Sequence, residues 1–202
     1  MIEESSANAL TSLPNHLGRA KKGVAGRRSG NLSILEGAQA VSGITTIGYA
    51  GSGTKAILVS GSGSRLETTE DLLVGTGGSA TLSIENGGAA SANNTTINGT
   101  VTVMGAGSTL TANHLTVAVA GSNWIIINSG GNASIANQTT LGIEAGSRGI
   151  VGVTGSNSSF TTQDLLLGDA GEGWATVANP TSRTGGQNNF FLTLLCLGNP
   201  DK

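Results

Sequence analysis

The sequence predicts an all-β fold: a single-stranded, right-handed parallel β-helix (β-solenoid) of about six coils with three short strands each. Three observations carry this expectation. One phrase recurs: NLSILEGAQAVSGITTIG from Asn31 returns as TLSIENGGAASANNTTIN from Thr81 and as IIINSGGNASIANQTTLG from Ile125. A second phrase alternates with it, as AILVSGSGSRLETTEDLLVG from Ala56, TVTVMGAGSTLTANHLTVAV from Thr100 and IVGVTGSNSSFTTQDLLLG from Ile150. Within each phrase apolar residues fall at every second position, which is the period of strands and not of helices.

The first strand of successive coils holds Leu32/Ile34, Ile57/Val59, Leu82/Ile84, Val101/Val103, Ile125/Ile127 and Val151/Val153. Ala175/Val177 begins a seventh coil that is not completed. A closing strand carries Ile47, Leu72/Val74, Ile97, Leu115/Val117, Leu141 and Leu165/Leu167. Between them a weaker middle strand holds Leu66, Leu110 and Phe160 in alternate coils, and smaller residues such as Val41, Ala90 and Ile135 in the others. Alternation turns one member of each pair inward, so equivalent positions stack into aliphatic ladders. Glycine-rich corners, such as Gly61–Gly63 and Gly105–Gly107, supply the positive φ that tight turns demand. Six coils at about 4.8 Å would make a rod roughly 29 Å long.

The coils pair into a double unit of 50 residues, measured from Ile34 to Ile84 and from Ile127 to Val177. Ile84 to Ile127 is only 43. Six of the missing residues fall between Ile97 and Val103 and one between Leu110 and Leu115, where a corner segment is shortened and the strands are kept.

Composition suits this architecture. Aromatic residues are 3% and charged residues 11% of the 202, so a globular core packed around large rings is excluded. The charged share is less than half the usual value of about 25%, and ordinary disorder demands the opposite, high net charge with few apolar residues. Charge divides the chain into three parts. Residues 1–30 carry Arg19, Lys21, Lys22, Arg27 and Arg28 against Glu3 and Glu4, and are read as a disordered, solvated basic leader. Residues 31–179 are the repeat domain, net acidic. Residues 180–202 form a tail of different period and composition. The cluster RAKKGVAGRR lacks interleaved aromatics and a folded platform, so no nucleic-acid partner is expected. The single cysteine, Cys196, excludes a disulfide framework within the chain, and no Cys/His zinc spacing exists. No signal-peptide-like apolar run opens the sequence, and no stretch reaches the length of a membrane span.

The alternating phrases, the GSG-type links and the tryptophans that start two units, Trp124 and Trp174, resemble the passenger repeats of autotransporters (type V secretion) and of some PEP-CTERM-associated bacterial surface proteins. The resemblance covers residues 31–179. It implies a surface-exposed or secreted β-helical segment, adhesion-related or a spacer shaft, normally followed by a membrane-inserted β-barrel. It also implies a host or environmental surface or glycan as partner, and contact with a membrane only through a barrel that this chain does not show. The repeat breaks after WATVAN at Asn179. This is read as a truncated or frame-shifted frame of a longer passenger, or alternatively as a genuine tail in which FFLTLLCL covers the open end of the solenoid. An open end predicts end-to-end self-association.

A β-helix can also carry an enzyme, and a carbohydrate-active lyase or hydrolase is the alternative class. Its best candidates are Asp71, His114 and Asp164, which occupy one place in alternate coils with Asn94 and Gln138 between them. The neighbouring leucines point inward, so this column points outward. Its members two coils apart stand about 10 Å from one another, beyond acid–base reach. The acidic pairs Glu70/Asp71 and Asp169/Glu172 do not match the tandem GGxGxDx calcium repeat. GxSxG and phosphate-loop patterns are absent. Asn-x-Ser/Thr sites, among them Asn93, Asn98 and Asn137, are read as turn and ladder residues. A Thr array for binding ice is weak, because TxT, as at Thr100/Thr102, does not recur on one face in coil after coil. No catalytic, cofactor-binding or metal-ligating residue is therefore assigned, no cofactor is expected, and the chain is read as a non-enzyme.

Overall fold

The computed structural model describes residues 22–24, 29–49 and 53–178. The chain runs through β1 (Lys22–Val24), β2 (Gly30–Leu35), β3 (Gln39–Ser42), β4 (Thr45–Ile47), β5 (Lys55–Ser60), β6 (Arg65–Thr68), β7 (Asp71–Val74) and β8 (Ala80–Glu85). It continues through β9 (Ala89–Ile97), β10 (Thr100–Met104), β11 (Thr109–Val117), β12 (Ser122–Asn128), β13 (Asn132–Leu141), β14 (Arg148–Thr154), β15 (Ser159–Leu167) and β16 (Glu172–Ala178). All pairings are parallel and join one coil to the next. The first strands of the coils make a seven-stranded sheet, β2-β5-β8-β10-β12-β14-β16. The middle and closing strands make the other sheet, which has nine strands. The result is the expected β-solenoid of about six turns.

The structure refines the expected three strands per coil. Coils one and two keep separate middle and closing strands, β3/β4 and β6/β7. From coil three onward the two run together as single bent strands of nine or ten residues. Continuous hydrogen bonding through the bend accounts for this, since β9 pairs with both β6 and β7. The stretch read as a solvated leader also contributes an element. Lys22–Val24 pairs in register with Thr45–Ile47, covering the otherwise open edge of β4. The remainder of the basic cluster, His16, the tail 180–202 and Cys196 lie outside the described residues.

Five inward ladders form the core. Leu32, Ile57, Leu82, Val101, Ile125 and Val151 stack in register, as do Ile34, Val59, Ile84, Val103, Ile127 and Val153. On the opposite sheet Ile47, Val74, Ile97, Val117, Leu141 and Leu167 make a third. The other two ladders alternate in size. One reads Ala40, Leu66, Ala90, Leu110, Ala133, Phe160; the other reads Thr45, Leu72, Thr95, Leu115, Thr139, Leu165. Large beside small along a column lets side chains interdigitate at native density, and this is one physical source of the two-coil repeat. Two expected middle-strand positions are displaced. Ala40, not Val41, occupies the inward place, and Val41 is 41% exposed. Ala133 stands in the column of Leu110, while Ile135 is buried two residues further on, in register with Ala112. The strand phase is set by the preceding corner, so the more hydrophobic neighbour does not decide which residue turns inward.

The corners alternate as well. Odd coils turn on two positive-φ residues, Glu36–Gly37, Asn86–Gly87 and Ser129–Gly130. Even coils use three-residue arches bounded by positive φ at Gly61 and Gly63, Gly105 and Gly107, and Gly155 and Asn157. The serine after each arch then joins the two corner types: Gly37 N–H donates to Ser64 Oγ, Gly87 N–H to Ser108 Oγ and Gly130 N–H to Ser158 Oγ, each at 3.0 Å.

Candidate functional site

The polar column expected from sequence forms along the bend between the middle and closing strands. Asp71 is in register with Asn94, and Asn94 with His114. Gln138 is in register with Asp164. Asn94 Nδ2 donates to Asp71 Oδ1 at 2.9 Å. One residue earlier in each strand, Asn113 Nδ2 donates to Asn93 Oδ1 at 2.7 Å. Between His114 and Gln138 the ladder shifts register, because β13 carries one more residue than β11 between matching pairs. Asn137 swings out there, and its Nδ2 lies 3.4 Å from His114 Nε2. His114, Gln138 and Asp164 are exposed.

This ridge therefore joins a carboxylate to an amide, amides to one another, and an amide to an imidazole. None of these hydrogen bonds joins one carboxylate to another, although Glu70 directly precedes Asp71. Among the described residues no three His, Cys, Asp or Glu side chains converge as a metal site would require. Asp169 and Glu172 lie apart from the ridge at the corner that ends coil six, where Arg148 Nε is 3.8 Å from Glu172 Oε2. Both partners of that pair are largely exposed, which makes it a weak contact.

A second feature arises only from the stacking of corners. The connector from closing strand to next first strand is five residues between β7 and β8, four between β11 and β12, and only Asn98–Gly99 between β9 and β10. The shortening noted in the sequence thus cuts a notch into the wall of corners, with a volume of about 480 Å³. Its walls are Gly75–Thr81 on one side and Ala120 with Ser122–Trp124 on the other, and its floor is Asn98–Thr100. Asn98 Oδ1 accepts the Val119 N–H at 2.8 Å, tying the floor to the next corner. Asn123 is buried and donates from Nδ2 to the Ala120 carbonyl at 2.7 Å, which braces the far wall.

Trp124 stands at the notch, 39% exposed. It belongs to an outward column of the seven-stranded sheet running Thr81, Thr100, Trp124, Ile150 and Trp174. The two indoles are two coils apart, about 9.6 Å. They are placed differently. The Arg148 guanidinium lies over the ring of Trp174, 4.8 Å from its centroid, a cation–π arrangement that occupies one face. The spacing of Trp124 and Trp174 was visible in the sequence, but the notch required knowing that the lost corner segment lies against the Trp124 wall. No family model, curated protein or solved structure matches this chain.

Proposed function

We propose that the solenoid is a shaft segment of a surface-displayed passenger of the autotransporter type, which spaces or displays an adhesive region and carries no catalytic centre. The observation behind this reading is how completely the ordered residues are used in stacking. The inward side chains form five ladders through six coils, and the outward carboxylates are spread over the surface: Glu36 at a corner, Glu85 on the seven-stranded sheet, Glu70 with Asp71 and, separately, Asp164 on the bend, and Asp169 with Glu172 at the corner that ends coil six. A β-helical carbohydrate-active enzyme would draw on the bend, where Asp71 and Asp164 each stand in register with an amide. Glycosidic cleavage by general acid and base asks instead for two carboxyl groups within about 5–9.5 Å across a substrate.

Localisation tests the proposal. Antibodies raised against the recombinant protein are applied to intact and permeabilised cells of the bacterium that encodes it. Staining of intact cells that is removed by external protease is the expected result. Signal only after permeabilisation would overturn the reading.

A further inference from the structure

The geometry points to a binding site for a neutral glycan in the notch beside Trp124, with the exposed indole as its stacking platform. Three features converge there. The cavity, about 480 Å³, falls within the range of about 300–1,000 Å³ typical of small-ligand sites. Its lining holds hydroxyls and two amides, among them Thr76, Thr81, Thr100, Ser122 and Asn98, and no Asp, Glu, Lys or Arg. Its one aromatic group, Trp124, keeps 39% of its surface open.

An aromatic face beside hydroxyl and amide groups is the chemistry that sugar rings require. The C–H face of a pyranose packs on the indole, and its hydroxyls exchange hydrogen bonds with the surrounding polar side chains and backbone. The uncharged lining selects against acidic polysaccharides, whose carboxylates or sulfates would lose water there without gaining a cation. Rigid strands on both sides hold the platform in place, so little ordering cost falls on binding. Trp174 serves as an internal contrast, because Arg148 already covers one of its faces.

This inference deepens the surface-display reading by naming the class of partner, but its test is independent of export. The full chain is titrated with neutral oligosaccharides (cello-, malto-, laminari- and manno-oligosaccharides), followed by tryptophan fluorescence and calorimetry. At least one series is expected to bind saturably with a change in indole emission. Trp124→Ala should weaken that binding by about tenfold or more, while Trp174→Ala should leave it within about twofold. Thr100→Arg, which places a long charged side chain on the notch floor, should abolish binding with an unchanged far-ultraviolet circular dichroism spectrum. Absence of saturable binding to every neutral series would overturn the inference, as would undiminished binding by a folded Trp124→Ala chain. Preference for polygalacturonate or heparin over all neutral probes would overturn the neutral class. None of these outcomes bears on whether the protein reaches the cell surface, which the antibody experiment decides separately.

Discussion

Ser108 Oγ receives the Gly87 N–H at 3.0 Å and donates to the Met104 carbonyl at 2.7 Å. One hydroxyl thus ties the corner of an even coil to the corner of the odd coil before it and to its own first strand. Ser64 does the same with Gly37 and Ser60, at 3.0 and 2.7 Å. The 50-residue unit of the sequence has a physical counterpart in these serines, which bond backward within a double unit.

Ser108 is fully buried, so Ser108→Ala should leave the Gly87 N–H without its acceptor and the Met104 carbonyl with only its bond from the Asn86 N–H. A loss of about 1–3 kcal/mol in unfolding free energy is expected, read from the urea midpoint at constant m. Ser156→Ala, at the exposed tip of the last arch, should change it by less than about 0.5 kcal/mol. Equal effects at the two positions would refute the tie.

The hydroxyls of the inner ladder make a sharper case. Thr45 Oγ1 lies 2.8 Å from Thr68 Oγ1, and Thr139 Oγ1 donates to Thr162 Oγ1 at 3.0 Å. Thr95 holds the equivalent place in coil three, yet its buried Oγ1 has no hydrogen-bond partner. The partner position in coil four is Ala112, two residues after Leu110 as Thr68 follows Leu66 and Thr162 follows Phe160. Thr95→Val should therefore stabilise the protein by about 1 kcal/mol, because it removes an unpaired buried hydroxyl at nearly constant volume. Thr139→Val should destabilise it, since Thr162 loses its donor. Thermal unfolding of the two variants distinguishes them by sign, and a shift of the same sign in both would count against this account.

The coil count, the sheet-forming alternation and the outward placement of Asp71, His114 and Asp164 were legible because each rests on spacing alone. What was not legible depends on neighbours in space. Val41 looks like an interior residue until the corner at Glu36–Gly37 sets the phase and turns Ala40 inward. The fusion of middle and closing strands follows from pairing across coils, which no single repeat contains. The missing residues after Ile97 were countable, but their consequence, a notch beside Trp124, arises only when three successive corners are stacked.

Positive-φ glycines divide by surroundings, and two of them test this. At Gly75, φ is 84° and an added Cβ would overlap the Asn98 carbonyl directly. At Gly146, φ is 80° and nothing lies within 4 Å of the same position. Gly146→Ala should cost only the left-handed backbone penalty, about 1–2 kcal/mol. Gly75→Ala adds a collision with backbone that cannot rotate away, so it should cost more than Gly146→Ala by at least about 1 kcal/mol. The comparison is made by chemical denaturation of both variants, and near-equal losses would show that the corner at Asn98 yields.

The last described strand predicts association. Among the described residues β16 pairs with β14 alone, and Trp174 and Val177 are 51% and 46% exposed there. An unpaired parallel edge beside exposed apolar side chains is a template for a second copy. Sedimentation velocity across a concentration series should show the chain moving from monomer to larger species as concentration rises. Val177→Lys places a charge in the column that a second copy would have to continue, and should shift that equilibrium toward monomer by about tenfold or more. Because Val177 is already half exposed, the substitution should leave the unfolding midpoint nearly unchanged, which separates lost association from lost folding. A monomer at every concentration, or a Val177→Lys chain that associates as readily as the parent, would refute the open-edge prediction.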